Sequence, residues 1–309
     1  MAKHDVPVAW IESPLQLIGA AEWAAARGVR PDLAARLGEQ VEETAAELHA
    51  RRAPFRDRAA YYGIPWRMLA SHDHWLVGDG YSGQFRLAAA ALRPRRITFL
   101  DDGANTVPFA DALAGAQPYA RPGVVERGLT RRLAPIALDA IRMRAAAGAV
   151  ELFTAFELGE ERESRLRDLG AVTTRHGFEW LRSTRPDVAG DPLPSGRVIL
   201  GSARVVDGHI PRADYLAWVR AEARRRGASY LPHRRETGDT LDAVAAIPGV
   251  RVVRTQLPIE VVLAGDRGPY EVVTLPSSAA TTLRSVLRGT ESTVKERTGA
   301  VGGRTERVA

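Results

Sequence analysis

Arg95-Arg96-Ile97-Thr98-Phe99-Leu100-Asp101-Asp102-Gly103-Ala104-Asn105-Thr106 is the stretch that decides the fold. Its short apolar run reads as a buried strand, stopped by two carboxylates and a glycine, and an Ala-rich segment of helical pattern follows. In an open parallel sheet, ligands bind outside the carboxyl ends of the strands. Asp101 and Asp102 therefore stand where a substrate would be, and Gly103 lets the backbone turn sharply. Acidic residues at a strand end also serve as helix caps, so this stretch alone leaves both roles open.

The same rhythm extends in both directions. Val6-Pro7-Val8-Ala9-Trp10-Ile11 reads as the first strand. Glu12-Ser13-Pro14 follows it, with Ser13 suited to the N-cap and Pro14 to the first helical position of a helix ending near Arg27. Capping explains Ser13 and Pro14 but leaves Gln16 without a role. Residues 40–51 have helical spacing, acidic early and basic late, as the helix dipole favours. Residues 66–70 and 74–80 read as strands, 82–92 as a helix and 150–156 as a further strand. Residues 183–197 contain Pro186, Gly190, Pro192, Pro194 and Gly196 and no apolar period, which marks a linker. A second strand–helix alternation follows it, with strands at 198–201, 229–233, 250–253 and 270–275 and a helix at 213–227. Such alternation specifies an α/β fold. The expected organisation is a first domain over 1–185, a linker over 186–197, a second domain over 198–288 and a polar, flexible tail over 289–309. Two α/β domains joined by a linker enclose a cleft, the usual place for a small-molecule site.

Composition narrows the classes. The chain has 309 residues, 45% hydrophobic, enough for two medium domains. It has no cysteine, which removes disulfides and thiol chemistry. No apolar stretch approaches the ~18 residues of a membrane span, and the start lacks a secretory pattern. A cytoplasmic protein is expected, with peripheral membrane contact left open. The net charge is +6, and of the 43 basic residues only Lys3 and Lys295 are lysine. An anionic partner and a GC-rich genome both account for this. Arginine is spread along the chain and no nucleic-acid motif is present, which argues against a nucleic-acid partner. His72-Asp73-His74 offers two metal ligands of alternating spacing but no third, so no metal site is expected.

Two stretches in the second half carry chemistry. Leu231-Pro232-His233-Arg234-Arg235-Glu236 places a histidine and arginines after a strand, where a charged imidazole beside Arg235 would suit a phosphate. Leu275-Pro276-Ser277-Ser278-Ala279-Ala280 ends a strand and opens a helix with paired hydroxyls, a ready anion site or an ordinary cap. Pro258-Ile259-Glu260 also follows a strand, and Glu260 could hold a ribose hydroxyl or simply begin a helix.

Taken in order, these landmarks resemble the bacterial sialyltransferases, especially glycosyltransferase family 52 and the related bacterial polysialyltransferases. The resemblance rests on Glu12-Ser13-Pro14-Leu15-Gln16-Leu17, Val77-Gly78-Asp79, Asp101-Asp102-Gly103, Gly201, Asp207-Gly208, His233, Pro258-Ile259-Glu260 and Ser277-Ser278. It implies a GT-B fold of two Rossmann-like domains facing a cleft. It also implies inverting, metal-independent transfer of sialic acid or a related nonulosonic acid from its CMP conjugate to a hydroxyl acceptor, with no further cofactor. By motif match the general base falls on Asp102 or Asp101, and the CMP phosphate on His233, Ser277 and Ser278, with Arg235 and Glu260 also on the donor. Ser13, Pro14, Gln16 and Gly103 fall on the acceptor side. The family often has proline directly after the histidine; here Arg234 occupies that place and Pro232 precedes it. The rival readings are a GT-B transferase using another nucleotide sugar and a non-catalytic nucleotide-binding relative.

Overall fold

A computed structural model describes residues 6–185, 193, 196–224, 226–265 and 268–297. These fall into two compact units. The first extends to Arg185 and includes Gln256–Pro258, and the second holds the remaining described residues. Of the expected linker, 186–192 and 194–195 lie outside the described residues, and Gly196 and Arg197 already belong to the first strand of the second unit.

The strands of the first unit are β1 (Val8–Ile11), β2 (Asp32–Arg36), β3 (Arg58–Tyr61), β4 (His74–Val77), β5 (Arg96–Phe99), β6 (Val150–Thr154) and β7 (Val172–Arg175). They form one parallel sheet in the order β3-β2-β1-β4-β5-β6-β7. The connecting helices are α1 (Pro14–Arg27), α2 (Glu39–Ala50), α3 (Trp66–Ala70), α4 (Gly83–Leu92), α5 (Thr106–Leu113), α6 (Gly128–Ala146), α7 (Glu160–Asp168) and α8 (Glu179–Ser183). All four residues of β1 are buried, as a central parallel strand covered on both faces requires. One face packs Trp10, Trp75, Phe85, Phe99, Phe109 and Ile141 into a single apolar cluster. The strand order reverses between β1 and β4, so the loops after β1, β4 and β5 stand side by side at the switch point.

Residues 66–70, expected as a strand, form α3 instead. The run is too short for its apolar pattern to separate the two states. Pro65 sits at its N-cap position, and only Leu69 of its five residues is buried.

The second unit repeats the architecture on a smaller scale. Its strands are β8 (Gly196–Leu200), β9 (Ala228–Leu231), β10 (Val250–Val252), β11 (Tyr270–Thr274) and β12 (Thr293–Glu296), parallel in the order β10-β9-β8-β11-β12. The helices are α9 (Arg212–Ala223), α10 (Gly238–Ala245), α11 (Ile259–Gly265) and α12 (Ser278–Val286). One sheet face packs Tyr215, Trp218, Tyr230 and Val273, and the other packs Val198, Leu231, Val272 and Leu283. The order reverses between β8 and β11, which places Gly201 and Ser277 at this switch point. The start of the expected tail is ordered: β12 pairs with β11, and Lys295 Nζ lies 2.7 Å from Glu271. A charged, mostly exposed strand is the usual way to end a sheet, and polarity alone hid it. Residues 298–309 lie outside the described residues. Among the described residues, no helix is long and apolar enough to cross a membrane.

Candidate functional site

In the first unit three carboxylates meet beyond three adjacent strands: Glu12 after β1, Asp79 after β4 and Asp102 after β5. Asp102 Oδ1 accepts from Gln16 Nε2 at 2.8 Å, and Oδ2 accepts from Asn105 Nδ2 at 2.9 Å. Its backbone N–H donates to Thr106 Oγ1 at 3.1 Å. Gly103 has a φ of 60°, the turn that its place after the carboxylates called for. The Asp102 side chain keeps 22% of its surface exposed. It borders a small pocket walled by Tyr81, Phe99 and Phe109 and edged by Asp79 and Asn105.

Asp101 is placed differently. It is 1% exposed, and its two oxygens accept from Thr154 Oγ1 at 2.5 Å and from the Ala155 N–H at 2.7 Å. His176 Nε2 lies 3.4 Å from it, in a ring stacked on Phe153. The strand period sends adjacent side chains opposite ways, so Asp101 anchors the loop to β6 while Asp102 faces the cavity.

Gln16, 1% exposed, takes part in capping, contrary to the expectation that capping left it without a role, and it also bonds Asp102. Its Oε1 accepts the backbone N–H groups of Glu12 at 2.8 Å and Ser13 at 3.1 Å, the reach-back of a capping box. With Oε1 so engaged, Nε2 must face Asp102. Gly78 makes room for it, because a Cβ there would lie 2.1 Å from the Gln16 amide. Ser13 stands at the N-cap position and Pro14 at N1, both half-buried. Gln16 thus stands behind Asp102, buried, rather than on the open side where an acceptor would touch it.

Arg121 joins the carboxylates. One terminal nitrogen donates to Asp79, and the other lies 3.5 Å from Asp102 Oδ2. The loop carrying Arg121 is pinned by the fully buried Arg86, which pairs with both oxygens of Glu126 at 2.6 and 3.0 Å and lies 4.3 Å over the Tyr119 ring. Burial, reinforced by Asp79, raises the Asp102 pKa, against the hydrogen bonds from Asn105 and Gln16 and the charge of Arg121. Burial and the neighbouring Asp79 push Glu12 up to about 7.

In the second unit, His233 follows β9. Its Nδ1 accepts from the Arg235 N–H at 3.2 Å, which leaves Nε2 as the donor of a neutral imidazole. Burial, then Arg234 and Arg235, lower its pKa. The charged histidine expected from the sequence is therefore disfavoured, because the arginines that would share an anion also repel an imidazolium. Arg235 itself pairs with both oxygens of Asp207. Glu236 buttresses the loop by accepting the His233 N–H at 2.7 Å and the Tyr230 hydroxyl. Gly201 is required here: a Cβ would lie 2.0 Å from Glu236 Oε2 and 2.4 Å from the His233 nitrogen.

Ser277 occupies the N-cap position of α12, exposed, with its hydroxyl 3.4 Å from Thr274 Oγ1 and no side-chain capping bond. Ser278 is the first helical residue and half-buried. The anion-site reading thus has a hydroxyl not engaged in capping. Glu260 is 7% exposed and accepts the Thr282 hydroxyl at 2.6 Å, tying α11 to α12, and burial raises its pKa. His72 and His74 do not combine: His72 pairs with Asp32 at 2.9 Å, and His74 lies 3.0 Å from Thr98 Oγ1. Among the described residues no three His, Asp or Glu side chains form a metal-holding group.

Sequence reasoning missed Arg121, Asn105, Glu236 and the Arg86–Glu126 pair as parts of these sites. Asp79 and Glu12 were visible as landmarks, but their meeting with Asp102 depends on strand order.

No protein-family model matches the chain, and no curated protein matches it. Solved structures do. A putative UDP-N-acetylglucosamine 2-epimerase from Listeria monocytogenes is 14% identical with a TM-score of 0.55, covering 91% of this chain and 76% of the other. MnaA of S. aureus, solved with UDP, is 14% identical with a TM-score of 0.54, covering 90% and 75%. The UDP-GlcNAc 2-epimerase from Neisseria meningitidis, bound to UDP-GlcNAc, is 10% identical with a TM-score of 0.50, covering 90% and 79%. At such identities the likeness is one of fold: the chain is built of two Rossmann-like domains, consistent with the GT-B fold.

Proposed function

We propose that this chain is an inverting glycosyltransferase that uses a nucleotide-sugar donor and a hydroxyl acceptor, with Asp102 as general base. The observation that carries the reading is the placement of Asp102. It is a partly open carboxylate at a sheet switch point, oriented by Gln16 and Asn105 and edging an apolar-walled cavity. Burial makes it a stronger base than an ordinary aspartate. In the reaction, Asp102 takes the acceptor hydroxyl proton as the oxygen bonds to the anomeric carbon. The bond from that carbon to the nucleotide phosphate breaks, and its electron pair leaves with the phosphate. Within the second unit, His233 Nε2–H, the Ser277 and Ser278 hydroxyls and the N-terminus of α12 are the groups suited to a nucleotide phosphate. The leaving phosphate is a weak base, so the step requires no metal. Asp101, Arg235 and Glu260 then act as positioning groups, through Ala155, Asp207 and Thr282 respectively.

The likeness to proteins solved with UDP and UDP-GlcNAc favours a nucleotide-sugar donor such as a UDP-sugar. The order of sequence landmarks supports a CMP-nonulosonate donor as the second reading. Thermal shift with CMP, UDP and GDP separates them, because a ligand that binds only the native state raises its apparent stability. A donor panel with and without hydroxyl acceptors then tests transfer. Acceptor-dependent release of nucleotide is expected. Asp102→Asn should lower it about 10²–10⁴-fold, the usual contribution of a general base, while leaving nucleotide binding intact. UDP-GlcNAc converted without any acceptor, or full activity in Asp102→Asn, would refute the proposal.

A further inference from the structure

Nine large apolar side chains are markedly exposed among the described residues, and five of them lie within one short stretch: Val124, Val125, Leu129, Ile136 and Met143. Val124 and Val125 are in the loop before α6. Leu129, Ile136 and Met143 are on α6, each seven residues from the next. Seven residues are almost two helical turns, so the three form one stripe, about 21 Å long at 1.5 Å per residue. The opposite side of α6 is already occupied, with Ala137, Ile141 and Ala145 in the core. The stripe is therefore surplus to folding. Its exposures of 60%, 56% and 68% have no explanation within the unit.

The charge around the stripe is one-sided. Arg132 is exposed on the edge of the stripe, Arg127 is exposed at the N-cap of α6 and Arg131 is exposed on the far flank of the same first turn, and among the described residues none of them is in an ion pair. Asp139 is the one exposed acidic residue on α6. An apolar stripe with unpaired arginines at its N-terminal end suits an anionic bilayer, in which apolar side chains enter the acyl boundary and guanidinium groups meet lipid phosphates. A second copy of the chain fits less well. A two-fold pairing of α6 would bring two sets of these arginines together with only Asp139 to offset them.

We propose that the loop 122–127 and the exposed face of α6 form a docking surface for an anionic lipid membrane. The surface is continuous with the carboxylate site. The same loop carries Arg121, three residues before Val124, to Asp79 and Asp102, and the buried Arg86–Glu126 pair fixes that loop. On the glycosyltransferase reading, and resting on it, docking here brings a lipid-carried hydroxyl acceptor to Asp102. The docking itself does not require that reading.

The test is sedimentation of the full chain with vesicles of phosphatidylcholine mixed with phosphatidylglycerol, and with pure phosphatidylcholine. Clear preference for the mixed vesicles is expected, weakening with salt. Replacing Arg127, Arg131 and Arg132 together by Ser should lower affinity for mixed vesicles about a hundredfold, at roughly fivefold per basic residue. The variant Leu129→Ser, Ile136→Ser, Met143→Ser should lose vesicle binding while retaining the thermal midpoint, because all three side chains are exposed. Nucleotide binding should be unchanged in both variants, so failure of docking and failure of the enzymatic reading are separate results. No binding of the parent chain to mixed vesicles, or equal binding by the triple serine variants, would overturn the proposal. So would a dimer in solution that dissolves in the apolar variant without any vesicle binding.

Discussion

Replacing Gln16 tests both the local fold and the proposed base. The two ends of its amide do different work. Oε1 holds the N–H groups of Glu12 and Ser13, and Nε2 donates to Asp102 at 2.8 Å. Gln16→Ala removes all three bonds. Two half-buried N–H groups are left without their partner, and at the lower end of about 1–3 kcal/mol each the loss is about 2 kcal/mol. For a chain of this size that lowers Tm by roughly 5 °C. Removing a hydrogen bond to a charged group, about 1.5–3 kcal/mol, should also slow transfer about 10- to 150-fold. Gln16→Glu separates the effects. It preserves the acceptor for both N–H groups, near a helix N-terminus that favours negative charge, but sets a second carboxyl against Asp102. Two carboxyls at that distance share a proton, so Asp102 is held protonated at neutral pH. The assay is nucleotide release from the donor across a pH series, beside a thermal melt of each variant. Gln16→Glu should melt close to the parent at mildly acidic pH, transfer poorly at neutral pH and recover as pH rises. A Gln16→Glu profile that overlays the parent, or a Gln16→Ala variant with full activity and unchanged Tm, would refute the assignment.

Glu12→Gln tests the electrostatics. With its pKa raised from 4.5 to about 7, Glu12 is uncharged more readily in the folded chain than in the unfolded one. The native state therefore loses stability as pH rises through that window. Glu12→Gln should be more stable than the parent by on the order of 3 kcal/mol above about pH 7, with the difference vanishing near about pH 4, measured by denaturant unfolding at each pH. Arg86→Ala leaves Glu126 buried and unpaired and should cost about 3–5 kcal/mol in the same assay. Loss below about 1 kcal/mol would show that the loop is held by other contacts. Ser277→Ala with Ser278→Ala should weaken binding of the nucleoside monophosphate more than that of the nucleoside in calorimetry, and equal losses would make both serines structural only. Gly201→Ala must displace Glu236 or the His233 backbone, so a loss of about 1–3 kcal/mol in stability is expected, with nucleotide affinity reduced.

Signals that are local in the chain were legible in the sequence. Continuous apolar runs such as Val8–Ile11 fixed most strands, because a strand covered on both faces needs no alternation. Asp101-Asp102-Gly103 and Ser277-Ser278 were visible as polar strand ends and candidate sites, and Ser13-Pro14 as a helix start. Strands with weak local character escaped. β2 is Asp-Leu-Ala-Ala-Arg, rich in residues that favour helices, and is a strand because β1 and β3 flank it. β12 was hidden by its charges and is held by β11.

Sequence alone determined the α/β class, the two halves and the candidate motifs, because these follow from periodicity and turn chemistry within about ten residues of chain. Only tertiary structure separated Asp101 from Asp102. Their chemistry is identical, and the difference is that the end of β6 and the residue after it supply Thr154 and Ala155 to one, while Gln16, 86 residues away, supplies its amide to the other. Tertiary structure likewise brought Arg121 to Asp79 and Asp102 and turned His233 from an expected cation into a neutral donor. Charge state and orientation depend on what surrounds a side chain in space, and strand order, absent from any local pattern, sets those surroundings.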